Sequence, residues 1–183
     1  MKLDDLTRQV LQEVPEAPLM TIKDQIRRMA REFCTEADAW VETGYVVAGA
    51  TGQYPQIVSG QGQPLRVIEL FDGEERISGG SFRQSTSTTI EFDRTPENDM
   101  LKGRVACRPG LDDDPPDEVL ERWAEPIGDG AKWRLLMMPQ PWQNGELSSF
   151  YQRSYNAGIN EAKRLSRLGH NNGRNRVRAR PFL

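Results

Sequence analysis

The chain has 183 residues and a net charge of −3, with 37% hydrophobic and 28% charged residues. That length and composition suit one folded domain, or a domain with a sizeable insertion, and exclude a disordered chain. No apolar run approaches the roughly 20 residues needed to cross a bilayer. The opening "MKLDDLTRQV" carries acids where a signal peptide needs bases, so residence in the cytosol is expected. Charge is uneven: residues 162 to 183 hold seven Lys or Arg and no acid, leaving 17 bases against 27 acids in the first 161.

In chain order, residues 3 to 14 predict a short helix ending near "VPEAP". Leu19, Ile22, Ile26, Met29, Ala30, Phe33, Ala37 and Trp40 then recur at steps of three and four, which is one face of a core helix. Near Gly44 the period changes. "GYVVAGATGQY", "PLRVIELFDGEERI", "STTIEFD" and "LKGRVACRPG" are short, β-branched and broken by Gly, Asp and Pro, with Asp72-Gly73 as a hairpin signal. Residues 44 to 110 therefore predict a small antiparallel sheet, and "SGGSFRQSTS" a solvated loop.

Helical pattern returns at "LDDDPPDEVLERW", with Asp114 as cap, Pro115 in the first turn, and Asp117 and Glu118 beside the exposed amides. Leu120, Trp123, Ile127, Ala131, Leu135 and Met138 predict its inner stripe, Pro126 a kink, and Gly128 and Gly130 close backbone approach. Trp133 falls off that stripe, as a satellite core residue or a contact with another subunit. Pro139 and Pro141 end the helix near Met138, Asn144 caps the next, and Trp142 plugs the corner between antiparallel neighbours. The fourth helix predicts an inner face of Leu147, Tyr151, Ser154 or Tyr155, Gly158, Ala162 and Leu165, with Gly169 as its stop. From there the chain alternates through Arg174, Arg176, Arg178, Arg180 and Phe182, the pattern of an extended basic arm.

Catalytic signals are sparse. His170 is the only histidine and stands in a polar stretch away from any nucleophile motif. Cys34 and Cys107 lack second ligands nearby and read as packed thiols, with neither metal nor disulfide expected. The Asp112 to Asp114 cluster suits a cap and solvated charge better than a divalent site. No phosphate-binding glycine loop occurs, and a non-enzymatic protein without cofactor is expected.

The order of elements resembles the bacteriophage head-to-tail connector proteins, also called adaptors. The resemblance rests on "RRMAREFCTEADAWVE", "VVAGATGQYPQ", "LRVIELFDGEERI" and, most specifically, "LLMMPQPWQNGELSSFYQRSYNAGINEAKRL". Pro141-Trp142, Asn144, Ala157-Gly158-Ile159 and the run from Arg176 to Phe182 occupy the family's corner, cap, helix centre and arm. The resemblance implies an α+β fold: an antiparallel helical bundle (residues 1–43 and 111–169), a small inserted antiparallel β-domain (44–110) and an extended basic arm (170–183). It further implies a structural protein of the virion neck, assembled in the host cytoplasm. Copies would form a homo-oligomeric ring beneath the portal protein, a dodecamer if the ring follows portal symmetry, with a neck or tail protein below. DNA would pass through the ring without specific binding and no membrane would be involved. On that reading Arg174, Arg176, Arg178, Arg180 and Phe182 reach the portal, Pro139, Pro141, Trp142 and Asn144 form the hairpin corner, and Trp133 is a candidate subunit contact. The alternative is a DNA-binding accessory protein using the same arm.

Overall fold

The computed structural model describes residues 1–47 and 56–168. The fold is α+β: four helices, a five-stranded antiparallel sheet and a small two-stranded one. Two helices, α1 (Leu3–Glu13) and α2 (Leu19–Ala37), precede the strands. Strands β1 (Trp40–Val47), β2 (Gln56–Val58), β3 (Gln63–Asp72), β4 (Glu75–Arg76) and β7 (Met100–Arg108) form the larger sheet in the order β2-β1-β7-β3-β4. The smaller sheet pairs β5 (Phe82–Gln84) with β6 (Ile90–Phe92). Two long helices, α3 (Asp117–Met137) and α4 (Gly145–Leu168), follow. No helix among the described residues is long and apolar enough to cross a membrane.

Ile22, Ile26, Met29, Ala30, Phe33 and Ala37 are buried on one face of α2, as the three-and-four spacing requires. Leu19 is exposed at the helix start. Trp40 does not extend this face as a helical residue. Asp38 takes a left-handed conformation at the helix end (φ 50°), held by Arg66, whose Nε donates to its carboxylate at 2.6 Å. That residue turns the chain, so Trp40 opens β1 opposite Cys107 and is buried there instead. A left-handed carboxylate with an arginine partner thus overrides a helical period that runs on by one turn too many.

The Asp72-Gly73 signal is a hairpin: Asp72 pairs with Glu75 across β3 and β4, and Gly73 has φ +64°, where a side chain would be strained. The stretch expected to be a loop around "SGGSFRQSTS" contains β5. Phe82 faces Phe92 across the two-stranded ladder with ring centroids 6.2 Å apart, enough apolar pairing to order a three-residue strand. Both flanks of the larger sheet are occupied in part by this hairpin. Ile57 N–H donates to Thr88 C=O at 2.7 Å, and the Gln84 amide accepts from Val67 N–H and donates to Leu65 C=O, each at 3.0 Å. Gln84 therefore substitutes for a neighbouring strand at two backbone groups of β3.

Helix α3 starts at Asp117 after Pro116, and Asp114 does not cap it. Asp114 accepts from Arg27 on α2 instead (Nε 2.8 Å, Nη2 2.7 Å), which ties the entry of α3 to α2. Asp117 and Glu118 do occupy the first turn. Trp123 departs from helical dihedrals (φ −125°, ψ 21°) three residues before Pro126, consistent with a proline ring that crowds the carbonyl four residues back. Leu120, Trp123, Ile127, Ala131 and Leu135 are buried, Met138 half-buried.

The two long helices run antiparallel. Gly130 lies against Tyr155, Pro126 against Gly158, and the Trp133 carbonyl accepts from Ser148, so contacts advance along one helix as they retreat along the other. Phe33, Trp123, Tyr155 and Trp133 form a chain of tilted rings 5.4 to 6.0 Å apart that joins α2, α3 and α4.

A side chain at Gly158 would collide with the Pro126 ring, which cannot rotate away. Gly158→Ala should therefore cost about 1–3 kcal/mol and lower Tm by several degrees in thermal unfolding. Gly145→Ala, where the added methyl meets nothing within 4 Å, should leave Tm unchanged or raise it slightly.

Candidate functional site

Helix α3 stops for a reason written in two residues. In a continuing helix the N–H of residue 139 would donate to the Leu135 carbonyl, but Pro139 has no N–H. The Trp142 indole supplies the missing donor: its Nε1 reaches Leu135 C=O at 3.1 Å, beside the Met138 N–H at 3.0 Å. Asn144 N–H then returns to Leu136 C=O at 3.0 Å, so the second freed carbonyl is also satisfied. Trp142 is half-buried, with its ring against the core and its polar edge on the helix end.

Asn144 starts α4 as the sequence requires. Its Oδ1 accepts from Leu147 N–H at 3.1 Å and its carbonyl from Ser148 N–H at 2.9 Å. The inward residue of that first turn is Ser148, not Leu147. Ser148 is buried and donates to the Trp133 carbonyl at 3.3 Å, while Leu147 is exposed. Further along, Tyr155, Ile159 and Ala162 are buried and Tyr151, Ser154, Gly158 and Leu165 half-buried. Both residues offered at the Ser154 or Tyr155 step face inward, for different reasons.

Ser154 belongs to a polar network absent from the sequence reading. Its hydroxyl donates to Asp129 Oδ2 at 2.5 Å, and Lys132 Nζ reaches the other oxygen of Asp129 at 2.7 Å. Lys132 also lies over the Tyr151 ring, 4.2 Å from its centroid, and 3.9 Å from Glu13, which accepts from the Tyr151 hydroxyl at 3.0 Å. Asp129 is almost fully buried, so its charge is carried by a paired cation and a hydroxyl. The network ties the end of α1 to α3 and α4. Gly128-Asp129-Gly130 within a helix was the visible signal: a carboxylate flanked by two residues that permit close packing.

Trp133 is half-buried. One side packs on Tyr155 at 5.9 Å and the Arg134 guanidinium stands 4.3 Å from its ring, while Arg134 also reaches Glu32 at 3.4 Å. Around the corner Met137, Pro139, Pro141, Leu147 and Phe150 are exposed, a convex apolar rim on a rigid turn. Arg174, Arg176, Arg178, Arg180 and Phe182, expected to form the basic arm, lie outside the described residues, as do Gly169 and His170.

Burial pushes the Cys34 thiol up to about 12 and the Cys107 thiol up to about 11. Both move away from the thiolate that nucleophilic or ligand chemistry needs. In the acidic cluster, Asp113 accepts from Gly110 N–H at 3.2 Å and Asp114 is held by Arg27. No group of three or more His, Cys, Asp or Glu suited to a metal occurs among the described residues. What the corner offers is shape: a turn that is apolar outside and held inside by the Trp142, Asn144 and Ser148 hydrogen bonds. No protein-family model matches the chain, and no curated protein matches it either.

Trp142→Phe leaves the ring but removes one of the two donors on the Leu135 carbonyl, and should lower stability by about 1 kcal/mol. Asn144→Ala should cost a similar amount; urea unfolding would read both as a lower midpoint with unchanged slope. Burial and the Glu13 hydrogen bond push the Tyr151 hydroxyl up to about 12 from an ordinary 10. A raised folded-state pKa contributes stability that is whole below pH 10 and lost as pH climbs toward 12. Tyr151→Phe should make that alkaline loss, followed as urea midpoint against pH, less steep.

Proposed function

We propose that this chain is a non-enzymatic head-to-tail adaptor of a tailed bacteriophage. Copies form a ring beneath the portal protein, prolong the DNA channel and offer an attachment surface to a neck or tail protein. The finer architecture belongs to the same reading: a helical bundle carrying an inserted β-domain, with an extended basic arm at the end. The α3–α4 corner carries the proposal. Trp142 and Asn144 stand in the stretch, with Pro141, on which the family resemblance is most specific, and each has a definite task in holding two long helices antiparallel.

Further support comes from charge and from the thiols. An acidic body followed by a basic alternating segment suits docking onto an adjoining protein surface, where arginine forks pair with carboxylates. The only two cysteines are buried with thiols held protonated, which suits packing. A channel wall past which DNA slides should not grip it, and the sequence pI of about 5.4 agrees with that.

Mixing the purified chain with its portal protein should give a complex of higher mass in sedimentation velocity. Deleting residues 171–183 should abolish the complex and leave the helical circular dichroism unchanged. Persistent failure of the full chain to join the portal would overturn the proposal. Strong, salt-sensitive binding of duplex DNA by the free chain would favour the DNA-binding alternative.

A further inference from the structure

Asn144 is followed by Gly145, a pair in which a main-chain nitrogen can attack the carboxamide carbon of the residue before it. In most of a folded chain that attack is blocked. The next side chain crowds the approach, or the N–H is tied into a ladder of backbone hydrogen bonds. Asn156 and Asn160 show the blocked case: both stand inside α4, and the N–H groups of Ala157 and Glu161 behind them belong to the helix ladder. Asn98 spends its Nδ2 on the Asp72 carboxylate.

Asn144 differs at each of these points. Gly145 is the first residue of α4, where an N–H has no ladder acceptor, and it donates to no other described residue. It is exposed and has no side chain, and even an added methyl there would meet nothing within 4 Å. The path of attack is open. Asn144 is exposed too, and its Nδ2 donates to no described residue, so the leaving group faces solvent.

The cap holds and polarises the carbon under attack. Asn144 Oδ1 accepts from Leu147 N–H at 3.1 Å, its main-chain carbonyl from Ser148 N–H at 2.9 Å, and its own N–H donates to Leu136 C=O at 3.0 Å. Three hydrogen bonds fix the residue between two helices, which keeps nucleophile and electrophile together. Leu147 N–H is aimed at the oxygen on which negative charge gathers as a nucleophile adds to Cγ. The N-terminus of a 24-residue helix favours that charge and eases loss of the Gly145 proton.

We propose that Asn144 is a site of spontaneous self-modification, in which the Gly145 nitrogen displaces the Asn144 carboxamide nitrogen. The Gly145 N–H gives its proton to solvent base and its nitrogen bonds to Asn144 Cγ. The Cγ–Nδ2 bond breaks, and Nδ2 takes up a proton and leaves as ammonia. Water then opens the resulting cyclic imide, at Cγ to give aspartate or at the main-chain carbon to give isoaspartate. One water is consumed, one ammonia is released, and nothing is oxidised or reduced. The aspartate product keeps an oxygen for Leu147 N–H. The isoaspartate product runs the main chain through Cβ and Cγ, which lengthens it by a methylene at the start of α4 and loosens the corner.

The full chain, held at mildly alkaline pH either folded or in guanidinium chloride, provides the test. Trypsin releases Asn144 in the peptide 135–153, apart from Asn172-Gly173, the other such pair, which lies outside the described residues. The folded chain should yield two new isomers of that peptide, each heavier by the exchange of NH2 for OH, at least as fast as the unfolded chain does. Gly145→Ala, which leaves the fold intact, should slow this about tenfold. Slower conversion in the folded chain than in guanidinium would show that the cap shields the carboxamide, and would overturn the proposal. Equal conversion in the Gly145→Ala variant would overturn it as well. The isoaspartate form, separated by ion exchange, should unfold at a lower urea midpoint than Asn144→Asp; equal midpoints would overturn the loosening of the corner.

Discussion

A single backbone carbonyl governs the geometry of this molecule. Leu135 loses its helical donor to Pro139, which leaves its carbonyl with the Met138 N–H alone and room for a second hydrogen bond worth about 1 kcal/mol. The indole of Trp142 meets it, but only if the chain folds back within seven residues. The return fixes where Asn144 can stand, Asn144 fixes the first turn of α4, and the first turn fixes the rotation at which Tyr155, Ile159 and Ala162 face inward. A proline therefore does more than stop a helix here. It sets a demand that one side chain can satisfy, and satisfying it selects one arrangement of the hairpin.

From that arrangement the rest of the core takes its register. Gly158 must lie under Pro126, and Gly130 under Tyr155, because no side chain fits at either crossing. The aromatic chain through Phe33, Trp123, Tyr155 and Trp133 then ties α2 to the hairpin, and Asp114 and Glu32 hold α2 by Arg27 and Arg134. The exposed ion pairs contribute little each. Their part is orientation: they flank an apolar contact already determined by ring packing. At the far end of α2, left-handed Asp38 and its Arg66 partner convert a helix into a strand and so set the direction of the sheet.

Local signals in the sequence were reliable where one residue decides the outcome. Pro139 as a stop, Asn144 as a cap, Asp72-Gly73 as a hairpin and the α2 face from Ile22 to Ala37 all act through the backbone next to them. Signals that depend on a distant partner were not legible. Nothing in the spacing of Trp142 reveals that Leu135 needs a donor, and nothing in Asp114 reveals Arg27, 87 residues earlier. Ser148 turns inward and Leu147 outward because the Trp133 carbonyl offers an acceptor at that point. Hydrophobicity alone favours the opposite choice. Trp40 satisfied the helical period, and the conformation of Asp38 took it out of the helix and into β1. Phe82 found its partner in Phe92 across a turn of polar residues whose composition suggests a loop.

The hairpin also explains how a chain with so little reactive chemistry can present definite surfaces. Its polar groups are used inward: the Trp142 indole on a helix end, Ser148 on a carbonyl, Asp129 between Lys132 and Ser154. Using hydrogen bonds to fix the interior leaves apolar side chains such as Met137, Leu147 and Phe150 on the outside of a turn that cannot relax to hide them. The sheet arrives at the same state by another route. Its ladder fixes Tyr45, Val47, Val58 and Met100 on one face while β5 and β6 supply groups to its flanks, so the exposed apolar area cannot be reduced by sliding a strand without turning Val46 and Leu101 out of the core. Both surfaces are thus fixed by the hydrogen bonds beneath them, the corner by the Trp142 and Ser148 contacts and the sheet by its ladder, and neither can be hidden without breaking the interior that holds it.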